Sequence, residues 1–167
     1  TDGKSVVISS KLDDKLFDST VGLALHEGSH IKLSNFDFLK GLENNIPQEY
    51  YNRAESKGYQ KYEVISMIKD LLNYVEDRRI DHYVFTSSPG YKGYYHSLYD
   101  KYFHSKVIDK ALKSDEHTDV SWDSYIFRII NLTNKNSDLN ALPQLSLIRS
   151  IIFSKVKELN STEEAFQ

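Results

Sequence analysis

The chain has 167 residues, 40 % of them hydrophobic, with six histidines, no cysteine and a formal net charge of −3. That length fits a single domain with its own core. The lack of cysteine excludes disulfides, thiolate-held metal and a thiol nucleophile, and a pI near 6.0 gives no electrostatic basis for nucleic-acid binding.

No apolar run approaches the roughly 20 residues of a membrane span. No signal-peptide pattern opens the chain, so it reads as cytoplasmic, with neither membrane nor nucleic acid as partner. Both ends read as cut. The start lacks Met, and Ser161 and Glu164 have capping-box spacing for a helix at the end. The expectation is one domain over 1–167, excised from a longer polypeptide, with a core at 1–113 and a helical C-terminal part at 114–160.

Lys4-Ser5-Val6-Val7-Ile8-Ser9 is β-branched and follows Asp2-Gly3, which predicts a strand and a small N-terminal sheet. Asp13 and Asp14 can cap a helix over about 15–34. Residues 41–59 are polar and contain Pro47, which predicts a long connection with a helical turn near 49–57. Ile65, Ile68, Leu72, Val75 and Arg79 recur at three- and four-residue steps, which predicts a second long helix over about 61–85 with one buried face. Ser87-Ser88-Pro89-Gly90 stops it. Six aromatics between Tyr91 and Phe103 pass from a loop into a helix over about 94–113. Helices over 122–132 and 145–159 follow. The fold class expected is mainly α, an α+β arrangement with a small N-terminal sheet and about five helices.

The first of these helices carries His26-Glu27-Gly28-Ser29-His30, the pattern H-E-x-x-H, after the apolar run Val21-Gly22-Leu23-Ala24-Leu25. Residues four apart share a helix face, so both imidazoles can hold one cation. Leu23 and Leu33 on the same face predict that it is buried. Glu27 lies beside the pair, where a carboxylate can take the proton of a water activated by zinc. Gly28 costs the helix about 1 kcal/mol relative to Ala, so its expected use is close approach of backbone or substrate.

A catalytic zinc site needs a third protein ligand. His82, His96, His104, His117 and the pair Glu76-Asp77 are the candidates downstream. On the second long helix, Glu76 sits about 40° from the apolar stripe centred on Leu72, and Asp77 about 140°. Glu76 therefore borders the buried face and needs compensation, either from a metal or from Arg79. Two imidazoles and a carboxylate suit zinc among the divalent cations. Tyr94, Tyr95 and His96 follow this helix closely and are candidates to donate to a developing oxyanion, with Tyr95 and His96 the expected catalytic residues.

H-E-x-x-H followed by a helix with an acidic ligand resembles the gluzincin group of zincin metallopeptidases. Leu72-Asn73-Tyr74-Val75-Glu76-Asp77-Arg78-Arg79-Ile80-Asp81 resembles the N-x-x-E-D-x-R-I segment of bacterial and phage putative metallopeptidases. Those proteins often carry, or are encoded beside, a von Willebrand factor A-type domain. The resemblance implies a minimal zincin-like core and a zinc metallopeptidase acting on peptide or protein. It implies zinc on His26, His30 and Glu76, with Glu27 as general base. Gluzincins like thermolysin place an Asp four residues after the ligand glutamate to hold a ligand histidine. Here that position is Ile80, so Asp77 or Asn73 is left to orient. A rival register makes Asp77 the ligand and Asp81 the orienting residue. The alternative function is a catalytically weak or inactive zinc-bound binding or assembly module of a larger protein.

Overall fold

The computed structural model describes residues 3–8 and 13–167. Helix accounts for 68 % of it and strand for none, which overturns the expected N-terminal sheet and the α+β class. Residues 4–8 run without regular structure, with Val7 94 % exposed, and Ser9 lies outside the described residues. A β-branched run becomes a strand only where another edge takes its hydrogen bonds and a face covers its side chains. Among the described residues no strand runs beside it, and Val7 and Ile8 stay exposed.

Asp13 accepts from the Lys15 amide and starts a short 3-10 turn, which runs into α1, Phe17–Leu33. The short α2, Phe36–Lys40, is capped by the Asn35 side chain. After Pro47 comes α3, Gln48–Glu55. The longest element is α4, Lys61–Ser87, opened by a capping box between Gln60 and Glu63.

The helix expected over 94–113 is two helices, α5 (Lys92–Tyr102) and α6 (Lys106–Lys113). Ser105 caps the second, and the Asn134 amide donates to the Phe103 carbonyl at 3.0 Å and to Asp109 at 2.9 Å, holding the break open. Then come α7 (Trp122–Ile130), α8 (Leu145–Lys155) and α9 (Thr162–Phe166), the first and last capped by Ser121 and Ser161. Nine α-helices thus replace the five expected among the described residues.

Helix α4 is buried on three sides rather than along one stripe. Tyr74 packs with Ile129, Leu132, Leu142 and Leu145. Leu72 packs with Leu42 and Ile46, where Phe166 of α9 also sits. Ile80 and Val84 pack with Tyr95 and Tyr99 of α5, where Leu25 and Leu33 of α1 close the cluster. Ile80 and Tyr95 are both 0 % exposed, each burial stabilising by about 2–3 kcal/mol.

What lets α1 lie against α5 is Gly22. A Cβ there would stand 2.2 Å from the Tyr94 carbonyl oxygen, so only glycine lets the two helices pack this closely. The cluster around Ile80 is also what brings the middle of α1 to the middle of α4. No helix among the described residues is long and apolar enough to cross a membrane.

Candidate metal centre

The H-E-x-x-H segment lies within α1, as its spacing requires. Leu25 and Leu33 bury its flank, while Leu23, expected to do so, is 37 % exposed. The His26 and His30 rings meet edge to face, and their Nε2 atoms are 3.2 Å apart. From α4, Asp77 brings Oδ1 to 3.1 Å from His30 Nε2 and 3.6 Å from His26 Nε2. Ligand atoms about 2.0–2.1 Å from a tetrahedral ion stand roughly 3.3–3.4 Å from one another. The three edges bracket that value, so the donor set fits zinc. It is the one such cluster of His, Asp and Glu among the described residues.

The electrostatics favour a cation at this point. Burial opposes charge on His26, whose side chain is 12 % exposed, but the Asp77 and Asp81 carboxylates outweigh it and lift its pKa to about 9. Burial also works against the Asp77 carboxylate, and the two histidines prevail, holding it well below the ordinary carboxylate range.

Glu76, expected as the third ligand, points elsewhere. Arg79 grips it with two bonds of 2.8 and 2.7 Å, Ser34 donates to it at 2.7 Å and Thr162 at 2.8 Å. Arg79 also donates to the Leu33 carbonyl at 2.8 Å, and the Asn35 amide donates to Thr162. Burial disfavours the charge on Glu76, and these donors more than offset it, so its pKa is lowered. The carboxylate is saturated by a clasp joining the end of α1, the middle of α4 and the start of α9.

Around the cluster, a hydrogen bond fixes His30, and a carboxylate faces His26 beyond bonding distance. His30 Nδ1 lies 3.0 Å from Ser34 Oγ, whose own hydrogen goes to Glu76. Ser34 thus accepts from Nδ1–H, which leaves the Nε2 lone pair turned to the centre. His26 Nδ1 faces Asp81 Oδ1 at 3.8 Å, and both atoms are buried without a hydrogen-bond partner. Asp81 is itself fixed through Oδ2, which accepts from the Tyr99 hydroxyl and pairs with Arg78 at 3.0 Å. The arrangement is that of the rival register, with Asp77 beside the histidines and Asp81 four residues on.

Glu27 is half-buried on α1, beside His26 in the chain. Tyr95 is fully buried, its ring 6.0 Å from that of His26 and its hydroxyl 3.4 Å from Ser29 Oγ. His96 is exposed on α5 against Phe85. His104 pairs with Asp100, His117 stacks on Phe127, and His82 is outside the cluster. Gly28 is exposed with nothing within 4 Å of an added Cβ, so no part of the described chain needs it for close approach. Ser34 and Thr162 were not anticipated. Ser34 carries a signal, lying four residues after His30, whereas Thr162 is 86 residues from Glu76 and has none.

No family model, no curated protein and no solved structure matches this chain.

Proposed function

We propose that this chain is a zinc-dependent metallopeptidase whose metal is held by His26, His30 and Asp77, with Glu27 as general base. One observation carries the reading: three donor atoms from two distant helices meet in a triangle of zinc-like dimensions, beside the Glu of H-E-x-x-H. Zinc bound there would polarise the scissile carbonyl and lower the pKa of a water to near 7.

The remaining work falls to this chain's own residues. Glu27 accepts the proton of the attacking water and passes it to the leaving amine. Ser34 and Glu76 keep His30 in one tautomer, and Asp81 faces the matching nitrogen of His26. The cluster around Ile80 and Tyr95 excludes water from the far side of the imidazoles.

A second reading, a zinc-bound binding or assembly module with little turnover, is favoured by Tyr95. Its hydroxyl is turned to Ser29, and its ring is closed off from solvent. The two readings separate on the Glu27→Gln variant assayed for zinc content and for cleavage of a broad peptide library. The peptidase reading expects full zinc content with cleavage reduced about 10²–10⁴-fold. Cleavage at the wild-type rate would refute it. A wild-type, zinc-loaded protein that binds peptides without cutting any would establish the second.

A further inference from the structure

Two hollows lie along α4, and Asp77 of the metal cluster borders the first. The first, about 280 Å³, runs from Asp77 past Tyr74 to Asp70, with Phe103, Ile126 and Ile130 opposite. The second, about 500 Å³, continues from Asp70 and Ile126 to Glu63, with Trp122 and Asp123 of α7 on its other wall. Asp70 and Ile126 line both, so the two hollows adjoin along one groove face of α4.

Its floor has a regular charge pattern. Glu63, Asp70 and Asp77 are spaced by seven residues, which puts them on one face of α4 about 10.5 Å apart. Asp123 adds a fourth carboxylate from α7. Among the described residues none of Glu63, Asp70 and Asp123 forms an ion pair with Lys or Arg. No lysine lines either hollow, and the one arginine, Arg78, is committed to Asp81. The groove is therefore anionic even after Asp77 is given to a metal. Tyr74, 4 % exposed, is among the residues that line the first hollow.

We infer that this groove seats an extended, lysine- or arginine-bearing polypeptide, running from the metal centre along α4 towards Glu63. The inference rests on the peptidase reading and gives it a substrate class. Asp77 to Glu63 spans about 21 Å of helix, which is about six residues of extended chain. The apolar wall of Phe103, Ile126 and Ile130 takes the aliphatic stems of basic side chains, whose charged ends reach the carboxylates.

The test is the binding of three fluorescein-labelled octapeptides, rich in Lys, in Ser and in Glu, to the zinc-loaded Glu27→Gln protein, read by anisotropy at low salt. The Lys peptide is expected to bind at least about tenfold tighter than the Ser peptide, and the Glu peptide more weakly than either, with the preference fading as salt rises. Substituting both Asp70→Asn and Asp123→Asn should cut the preference to about two- or threefold with zinc content unchanged. Ile126→Arg, at the junction of the hollows, should abolish Lys-peptide binding. Glu158→Gln, on a distant exposed pair, should change nothing. Equal binding of the three peptides, or a Lys preference that survives both Asp substitutions, overturns the inference while leaving the zinc site standing. A protein that takes up no zinc yet keeps an Asp70-dependent Lys preference supports the groove and sinks the peptidase reading instead.

Discussion

Neighbouring acids on α4 should fail in opposite ways when neutralised. Glu76→Gln leaves the Arg79 guanidinium, 5 % exposed, without its carboxylate and weakens the acceptor for Ser34 and Thr162. Breaking a buried pair by removing one partner costs about 3–5 kcal/mol. For a domain of this length that is a fall in Tm of roughly 10 °C. Zinc affinity should drop by about 10–100-fold, since only an orienting contact to His30 is weakened.

Asp77→Asn removes a charge from a side chain that is 31 % exposed and makes no ion pair with Arg or Lys among the described residues. At about pH 8.5, where most of the proton-linked contribution of His26 is already gone, the metal-free fold should change by no more than about 1–2 kcal/mol. Zinc affinity should fall much further. A structural zinc site binds with roughly 10–16 kcal/mol over four ligands, so one ligand is worth about 3 kcal/mol, or at least a hundredfold. The assay is a pair of measurements on each variant: urea unfolding in chelator, and zinc affinity by competition with a chromophoric chelator. If Glu76→Gln abolishes zinc binding at wild-type stability while Asp77→Asn binds normally, the ligand assignment is wrong.

Metal-free protein should lose stability as pH rises. His26 is held protonated up to about 9, so its contribution, on the order of 3 kcal/mol, is complete below about pH 6.5 and lost on passing through the folded value. About 2 kcal/mol of it should disappear between about pH 6.5 and pH 8.5, seen as a falling urea midpoint in chelator. Zinc must displace that proton, so zinc-loaded protein should show the opposite slope. Parallel slopes would count against a metal on His26. Gly22→Ala should destabilise by about 2–3 kcal/mol or more, because its methyl group meets the Tyr94 carbonyl. Gly28→Ala meets nothing and should raise stability by about 0.5–1 kcal/mol. Loss of cleavage in that stabilised variant would place substrate over the glycine.

The helices that hold the site were legible in the sequence because strong punctuation bounds them. Asp13 and Ser87-Ser88-Pro89-Gly90 mark ends that the structure moves by two residues or so. The N-terminal run misled because β-propensity describes fit to a half-covered pleated surface, and Val7 has no such surface. The third ligand misled for a related reason. A helical wheel built on one apolar stripe tells which acid is buried, and Glu76 is indeed 2 % exposed. It cannot tell what the acid faces. Here Arg79, one turn on, and Thr162, from the far end of the chain, answer for the burial. Asp77, which the wheel put about 140° from the stripe, is the one α1 reaches, because α4 is covered on three sides.

The bond from Thr162 to Glu76 couples two regions that composition alone would treat as separate. Glu76 Oε1 also receives the Ser34 hydrogen, and Ser34 in turn steadies His30. Peeling the five residues of α9 off α4 would take one donor from that oxygen and loosen the next link in line. The tightness with which the first helix grips a cation is therefore tied to whether the last helix is docked.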